Sequence, residues 1–143
     1  MPATEPMTDS EPRTGVETKS TLNRWLGENV ADTRVPDGPD GRLYPTVPFA
    51  RAWDAVMGEV DRNRSWSLVH SDEDIGILTI ACRTPVLGFV DDLTVWVSLD
   101  ANGFTRIEAR SASRAGRGDL GVNRRRLVRL MKRIDRSVGP AGR

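Results

Sequence analysis

The side chains best suited to binding chemistry lie close together in the C-terminal third of the chain. Ser111, Ser113 and Arg114 follow an extended stretch of alternating residues, and Asn123 and Arg124 come after a loop that contains several glycines. Hydroxyls, guanidinium groups and the unpaired N–H groups at the start of a helix all bind anions. This arrangement predicts a pocket for a phosphate or a carboxylate.

A structural role is the competing interpretation of the same segment, and the sequence favours it. Asp119 is a suitable N-cap for the helix that follows, so its carboxylate already supplies negative charge at that helix end. The serine hydroxyls can satisfy the backbone of the loop, and Arg114 can pair with Asp91 or Asp92.

Asp91 and Asp92 are adjacent carboxylates at the start of a predicted strand. Neighbouring side chains of a strand point to opposite faces, so these two cannot converge as the carboxyl pair of a hydrolase, about 5 to 9 Å apart. We expect one of them to hold Arg110 or Arg114 across the sheet and the other to lie at the solvated start of the strand. Asp91, Asp92 and Asp119 have the ligand type of a divalent cation site, but no loop spacing supports one, and no metal is predicted.

Cys82 and His70 are the only cysteine and the only histidine. This count excludes an internal disulfide, a cysteine-based zinc site and a histidine-rich metal centre, and no cofactor is predicted. Cys82 lies in an apolar run and is predicted to be a small buried side chain. His70 adjoins a polar turn, which favours a solvated histidine over a partner in a Cys–His dyad.

Hydrophobic spacing predicts the elements that position these residues. Apolar residues at helical spacing predict a helix from residue 48 to 61, with Glu59 on its polar side. Alternating and β-branched runs then predict four strands, at residues 65–70, 75–82, 92–99 and 104–112. In the third strand Trp96 lies on the polar side, so we expect it to pack under a helix or to form an exposed anchor.

The last element is a second helix, whose apolar stripe is Leu127, Leu130, Met131 and Ile134 and which Gly139 ends. A helix, a four-stranded antiparallel meander and a C-terminal helix predict an α+β fold, a two-layer sandwich with both helices on the sheet.

The chain has 143 residues, and its net charge of +1 conceals two opposite halves. Residues 1–100 carry nine basic and seventeen acidic residues, a net charge of −8, whereas residues 101–143 carry twelve and three, a net charge of +9. We predict a flexible acidic extension rich in Pro and Gly over residues 1–42, a single domain over 43–138 and a disordered tail over 139–143. The sequence contains no apolar run of about eighteen residues and no secretory signal, which predicts a cytoplasmic protein without a membrane span.

Two segments resemble the signature of a known family. They are Gly88-Phe89-Val90-Asp91-Asp92 and the stretch from Arg110-Ser-Ala-Ser-Arg114 to Gly118-Asp-Leu-Gly-Val-Asn-Arg-Arg-Arg126. Both are similar to the bacterial and plant family catalogued as domain of unknown function 1499. The resemblance covers roughly residues 49–134 and implies a bacterial protein, but it implies no activity.

We therefore expect a non-catalytic binding or scaffold module that recognises an anionic small molecule or an acidic protein segment at the loop and helix of residues 111–126. The alternative is a hydrolase or lyase that uses Asp91 or Asp92 with Arg114 as electrophilic support. Such an enzyme needs a pocket beside one of the aspartates, and arginine pairs on both would remove its basis. The candidate binding residues are Asp91, Asp92, Arg110, Ser111, Ser113, Arg114, Asp119, Asn123 and Arg124.

A third alternative is weak nucleic-acid binding through the basic C-terminal helix, which carries seven Arg or Lys residues between positions 124 and 136. No aromatic residues interleave with them to stack on bases, so the sequence argues against a nucleic-acid partner. The oligomeric state does not follow from the sequence.

Overall fold

Two helices and six strands build the domain in a computed structural model, which describes residues 29–85, 88–114 and 121–139. In chain order the elements are β1 (Val30–Asp32), β2 (Arg42–Tyr44), α1 (Phe49–Arg62), β3 (Trp66–Asp72), β4 (Ile77–Arg83), β5 (Val90–Leu99), β6 (Thr105–Ser113) and α2 (Val122–Val138).

Helix α1 forms where the helical spacing of apolar residues predicts it. Trp53, Val56 and Val60 are buried on one side, and the rings of Phe49 and Trp53 stack with centroids 5.9 Å apart. Glu59 departs from the prediction because it is also buried, with only 3% of its surface exposed. The amphipathic pattern fixes which side of the helix faces the sheet, whereas Glu59 is covered by a later element.

The sheet is antiparallel throughout, with the strand order β1–β6–β5–β4–β3 and with β2 also paired to β6. The predicted α+β class is confirmed, but the predicted count of four strands is wrong, because the described part of the chain has six. Both additional strands are three residues long and extend along the outer edge of β6. Elements this short show no hydrophobic period, and β1 precedes the domain boundary predicted at residue 43.

The helices cover one face of the sheet. On β5 the side chains of Leu93, Val95 and Val97 are buried in the same core cluster as Leu127 and Ile134 of α2. None of the helices in the described ranges is long and apolar enough to span a membrane.

Trp96 lies on the other face of β5 and matches neither expectation. It is half-buried, and the guanidinium carbon of Arg34 lies 3.9 Å from the centroid of its ring. Arg34 is itself held by Asp32, with Nη2 and Oδ2 2.8 Å apart. The ring is therefore covered by a cation from the loop after β1 rather than by a helix.

Helix α2 begins later than predicted. Gly121 is its N-cap residue, and Asp119, the residue expected to cap the helix, lies outside the described residues. At the other end Gly139 ends the helix as predicted, and its N–H donates to the carbonyl of Asp135. The Tyr44 hydroxyl donates to Asp135 Oδ1 over 2.5 Å, which ties β2 to the last turns of α2.

Candidate functional site

A buried polar network lies where β6 meets the start of α2. Ser111 and Asn123 are fully buried, and the Ser111 hydroxyl donates to Asn123 Oδ1 over 2.7 Å. Asn123 Nδ2 donates to Ser113 Oγ and to the backbone carbonyl of Asn29, each over 2.9 Å. The structure therefore brings together three of the predicted residues, and it gives their polar atoms partners within the protein.

Arg126 is the centre of this network, although it was not among the candidate residues. Its Nη1 lies 2.8 Å from Asp91 Oδ2 and donates to Asn123 Oδ1 over 2.8 Å and to Ser111 Oγ over 3.0 Å. Both charged side chains are nearly inaccessible, at 10% exposure for Arg126 and 4% for Asp91. We name these four residues (Asp91, Ser111, Asn123 and Arg126) the Arg126 network.

The contact between Asp91 and Arg126 is an ion pair without an aligned hydrogen bond, since Asp91 Oδ2 has no hydrogen bond of good geometry within the described ranges. The expectation that the aspartate not paired across the sheet lies at a solvated strand start is therefore wrong. One sequence signal pointed to Arg126, namely its position three residues after Asn123, which places the two side chains side by side on a helix.

Asp92 lies on the opposite face of β5, as the alternation of strand side chains predicts. Arg114 donates from Nε and Nη2 to its carboxylate over 2.8 to 3.0 Å, and both side chains are about half exposed. The hydrogen bond that Arg114 donates to Asp92 raises the pKa of Arg114. Each of the two aspartates thus holds an arginine of its own.

Arg110 and Arg124 lie away from the Arg126 network. Arg110 is half-buried and is paired in register with Asp32 and Thr94, on the helix-free face of the sheet. The hydrogen bond from Arg34 is the largest cause of the lowered pKa of Asp32, and the charge of Arg110 adds a smaller effect. Arg124 is exposed, and its Nη1 donates to the carbonyl of Asp37 over 3.0 Å.

Cys82 is fully buried beside the Arg126 network, opposite Asp91 in the pairing of β4 with β5. Burial raises the pKa of its thiol to about 12, so the side chain stays protonated at neutral pH. His70 is exposed on β3 and lies opposite Thr79, whereas the β3 residue opposite Cys82 is Trp66. The structure does not bring cysteine and histidine together as a dyad.

A cavity of about 220 Å³ lies beside Arg126 and was not predicted from the sequence. Its walls come from the last turns of α1, from the end of β4 and the residues after it, and from one side of α2. We name it the arginine cavity, because the arginines in its wall are Arg83, Arg125, Arg126, Arg129 and Arg133.

Positive charge dominates the arginine cavity. Against its five arginines stands one lining carboxylate, Glu59, whose Oε1 lies 2.6 Å from Nη2 of Arg62 and whose Oε2 lies 3.5 Å from Nη1 of Arg133. Asp91 offsets the charge of Arg126 from behind the wall. A concave site with an excess of one sign of charge concentrates the field and attracts ions of the opposite sign. Guanidinium groups bind phosphate and carboxylate through paired N–H donors.

Two further cavities adjoin Arg124 and have a different character. One of about 680 Å³ lies between β1, the loop of residues 35–39 and Arg124, and one of about 290 Å³ lies between that loop and α2. The larger has two carboxylates in its wall, Asp32 and Asp37, against one arginine. The smaller has Arg42, Arg124 and Lys132 against Asp40, so its excess of positive charge is smaller than that of the arginine cavity. The described ranges contain no group of three or more His, Cys, Asp or Glu side chains that could hold a metal ion.

Comparison with known proteins gives one match. Residues 41–134 match the model of a family described as protein of unknown function (DUF1499). The matched range includes the whole Arg126 network and every arginine of the cavity. No curated protein and no solved structure matches the chain.

Proposed function

The chain belongs to the DUF1499 family, whose description assigns no activity, and we propose that it is a module that binds a small anionic ligand in the arginine cavity. The observation that carries this proposal is the convergence of five arginine side chains from β4 and α2 on one cavity with a single lining carboxylate. Most of these arginines are exposed, and Arg83 and Arg129 have no ion pair in the part of the chain that the structure describes.

The polar motif of residues 111–126 contributes to this site indirectly. Ser111 and Asn123 form hydrogen bonds with each other and with Arg126, so they are poorly placed to bind a ligand themselves. They hold Arg126 in one orientation at the cavity wall, and Asp91 compensates its buried charge. A guanidinium held in this way loses little conformational freedom when an anion binds.

The surroundings of the two aspartates support binding rather than catalysis. Asp91 and Asp92 are each paired with an arginine, and neither lines any of the three cavities described above. A general acid or base must reach the substrate, so these pairs remove the basis for a hydrolase or lyase that uses either carboxylate.

The size of the cavity indicates the size of the ligand. Pockets for drug-sized molecules measure about 300 to 1,000 Å³, and the arginine cavity at about 220 Å³ is smaller. It fits a small oxyanion, or one anionic group of a larger molecule such as the carboxylate of an acidic protein segment.

The test measures the binding of phosphate, pyrophosphate and citrate at constant ionic strength, by thermal shift and by calorimetry. We expect saturable stabilisation by at least one of these anions. Arg129→Gln removes an exposed cavity guanidinium and is expected to weaken binding about tenfold, the value of one charge-assisted hydrogen bond. Arg114→Gln is the matched control, because Arg114 pairs with Asp92 outside the cavity and its loss is expected to leave affinity unchanged.

The same pair of variants distinguishes the possible sites. Loss of binding in Arg114→Gln with normal binding in Arg129→Gln would move the site to the loop of residues 111–126. No saturable stabilisation of the wild type by any of the three anions would refute the proposal.

A further inference from the structure

Glu59 is an unexpected residue in the wall of a cavity that attracts anions. It is 3% exposed, and it is the one carboxylate among the residues that line the arginine cavity. A buried carboxylate repels an unprotonated anion, so its presence weakens anion binding unless it makes a favourable contact with the ligand.

The two oxygens of Glu59 have different environments. Oε1 accepts a hydrogen bond from Arg62 Nη2 over 2.6 Å, and Arg62 is not a lining residue of the cavity. Oε2 is buried and accepts no hydrogen bond from any group in the described ranges. Nη1 of Arg133 lies 3.5 Å from Oε2, and Arg133 does line the cavity. The oxygen with unused hydrogen-bonding capacity is therefore the one that adjoins an arginine of the cavity wall.

We propose that Glu59 Oε2 accepts a hydrogen bond from the bound ligand, so that the cavity selects an oxyanion that carries a proton donor. This inference rests on the proposed anion-binding function and adds the class of ligand. Inorganic phosphate is the simplest such ligand, because it keeps at least one O–H group at neutral pH. Sulfate has the same tetrahedral shape and a similar size, but it has no proton to donate.

The lining arginines do not separate these two anions, and the uncharged polar side chains Asn63, Ser65 and Thr84 can both donate and accept hydrogen bonds. Arg83, Arg129 and Arg133 donate hydrogen bonds and positive charge, which serve any oxyanion equally. A carboxylate only accepts hydrogen bonds, so it attracts a protonated oxygen of the ligand and repels an unprotonated one. Selection by a proton of the ligand therefore depends on Glu59.

The test compares the affinities for phosphate and sulfate at pH 7 and equal ionic strength by calorimetry. We expect the wild type to bind phosphate at least about tenfold more tightly, as one hydrogen bond to a charged group would give. In Glu59→Gln the side-chain amide both donates and accepts, so the two affinities are expected to agree within about twofold. Glu108→Gln is the matched control and should keep the wild-type preference for phosphate. Glu108 is a half-buried carboxylate on β6 that does not line the cavity.

Each outcome decides between the two proposals. Equal binding of phosphate and sulfate by the wild type overturns the role of Glu59 and leaves the anion cavity standing. A preference that persists in Glu59→Gln also overturns it. Binding of neither anion overturns it as well, and the proposed function is refuted with it only when pyrophosphate and citrate also fail to bind. Should Glu59→Gln not fold, Glu59→Asp keeps the charge and withdraws the oxygen by one methylene; a reduced preference in this variant supports the proposal and an unchanged preference overturns it.

Discussion

Asp91 and Asp92 are identical neighbours on β5 with opposite environments. Asp91 is buried against Arg126 beneath the helices, whereas Asp92 pairs with Arg114 on a surface where both side chains are about half exposed. Two charges removed from water depend on each other, because the loss of one leaves the other uncompensated. An exposed pair has water and salt as substitutes for the missing partner.

The first prediction follows from this contrast. Asp91→Asn leaves the buried guanidinium of Arg126 without its counter-charge and is expected to lower the free energy of unfolding by about 3 kcal/mol. Asp92→Asn should leave the unfolding midpoint unchanged within error. Urea unfolding of both variants followed by tryptophan fluorescence provides the measurement. Equal effects of the two substitutions would show that the Arg126 network does not stabilise the domain.

At the scale of elements, two tight turns set the register of the meander. The turn between β3 and β4 ends at Gly76 and the turn between β5 and β6 ends at Gly103, with φ of +70° and +79°. In the second turn Asp100 Oδ1 accepts hydrogen bonds from the N–H groups of Asn102 and Phe104. The two glycines differ in their surroundings. A Cβ atom at Gly76 would lie 1.9 Å from the carbonyl oxygen of Val97, whereas a Cβ atom at Gly103 would have no atom of the described residues, apart from its chain neighbours, within 4 Å.

The second prediction compares alanine at these two turns. Gly103→Ala adds only the strain of a left-handed backbone and is expected to cost about 1 kcal/mol. Gly76→Ala adds a clash with the backbone of β5 as well, and we expect a loss of about 3 kcal/mol or more. Thermal and urea unfolding of the two variants measure the difference. A similar loss for both would mean that β5 moves aside at little cost.

At the scale of the whole molecule, the two edges of the sheet differ in whether further strands cover them. One side is closed by β1 and β2 along β6, whereas β3 is paired only with β4 among the described strands. On β3, Leu68 and Val69 are 39% and 63% exposed. A strand edge with exposed apolar side chains is a template for pairing with another chain.

The third prediction concerns association through this edge. We expect the protein to self-associate at high concentration, and Val69→Lys should reduce that association because a charge on an edge strand opposes edge-to-edge pairing. Val128→Lys changes an exposed valine on the surface of α2 and should have no such effect. Sedimentation velocity over a concentration series gives the weight-average mass. Association that is equally sensitive to both substitutions would place the contact elsewhere.

The order and type of most elements follow from local spacing in the sequence. Helical and alternating periods predict α1, β3 to β6 and α2 to within a few residues. In a long element the residues on the buried face are apolar and recur with the period of a helix or a strand, so the pattern can be read from the sequence. The short strands β1 and β2 carry no such period, and they exist because β6 offers them a partner edge. The sequence around residues 30–32 does not indicate that β6 is the strand with which they pair.

The candidate site divides in the same way. The sequence pointed to Asp91 as one of two adjacent carboxylates and to Ser111 and Asn123 as anion-binding side chains around a helix start, and the structure joins them around Arg126. The arginine cavity could not be predicted, because Glu59, Arg83 and Arg129 come from three elements far apart in the chain. A residue's own neighbours determine which way it faces on a helix or strand, but only the packing of α1, β4 and α2 against one another determines which charges face the same cavity.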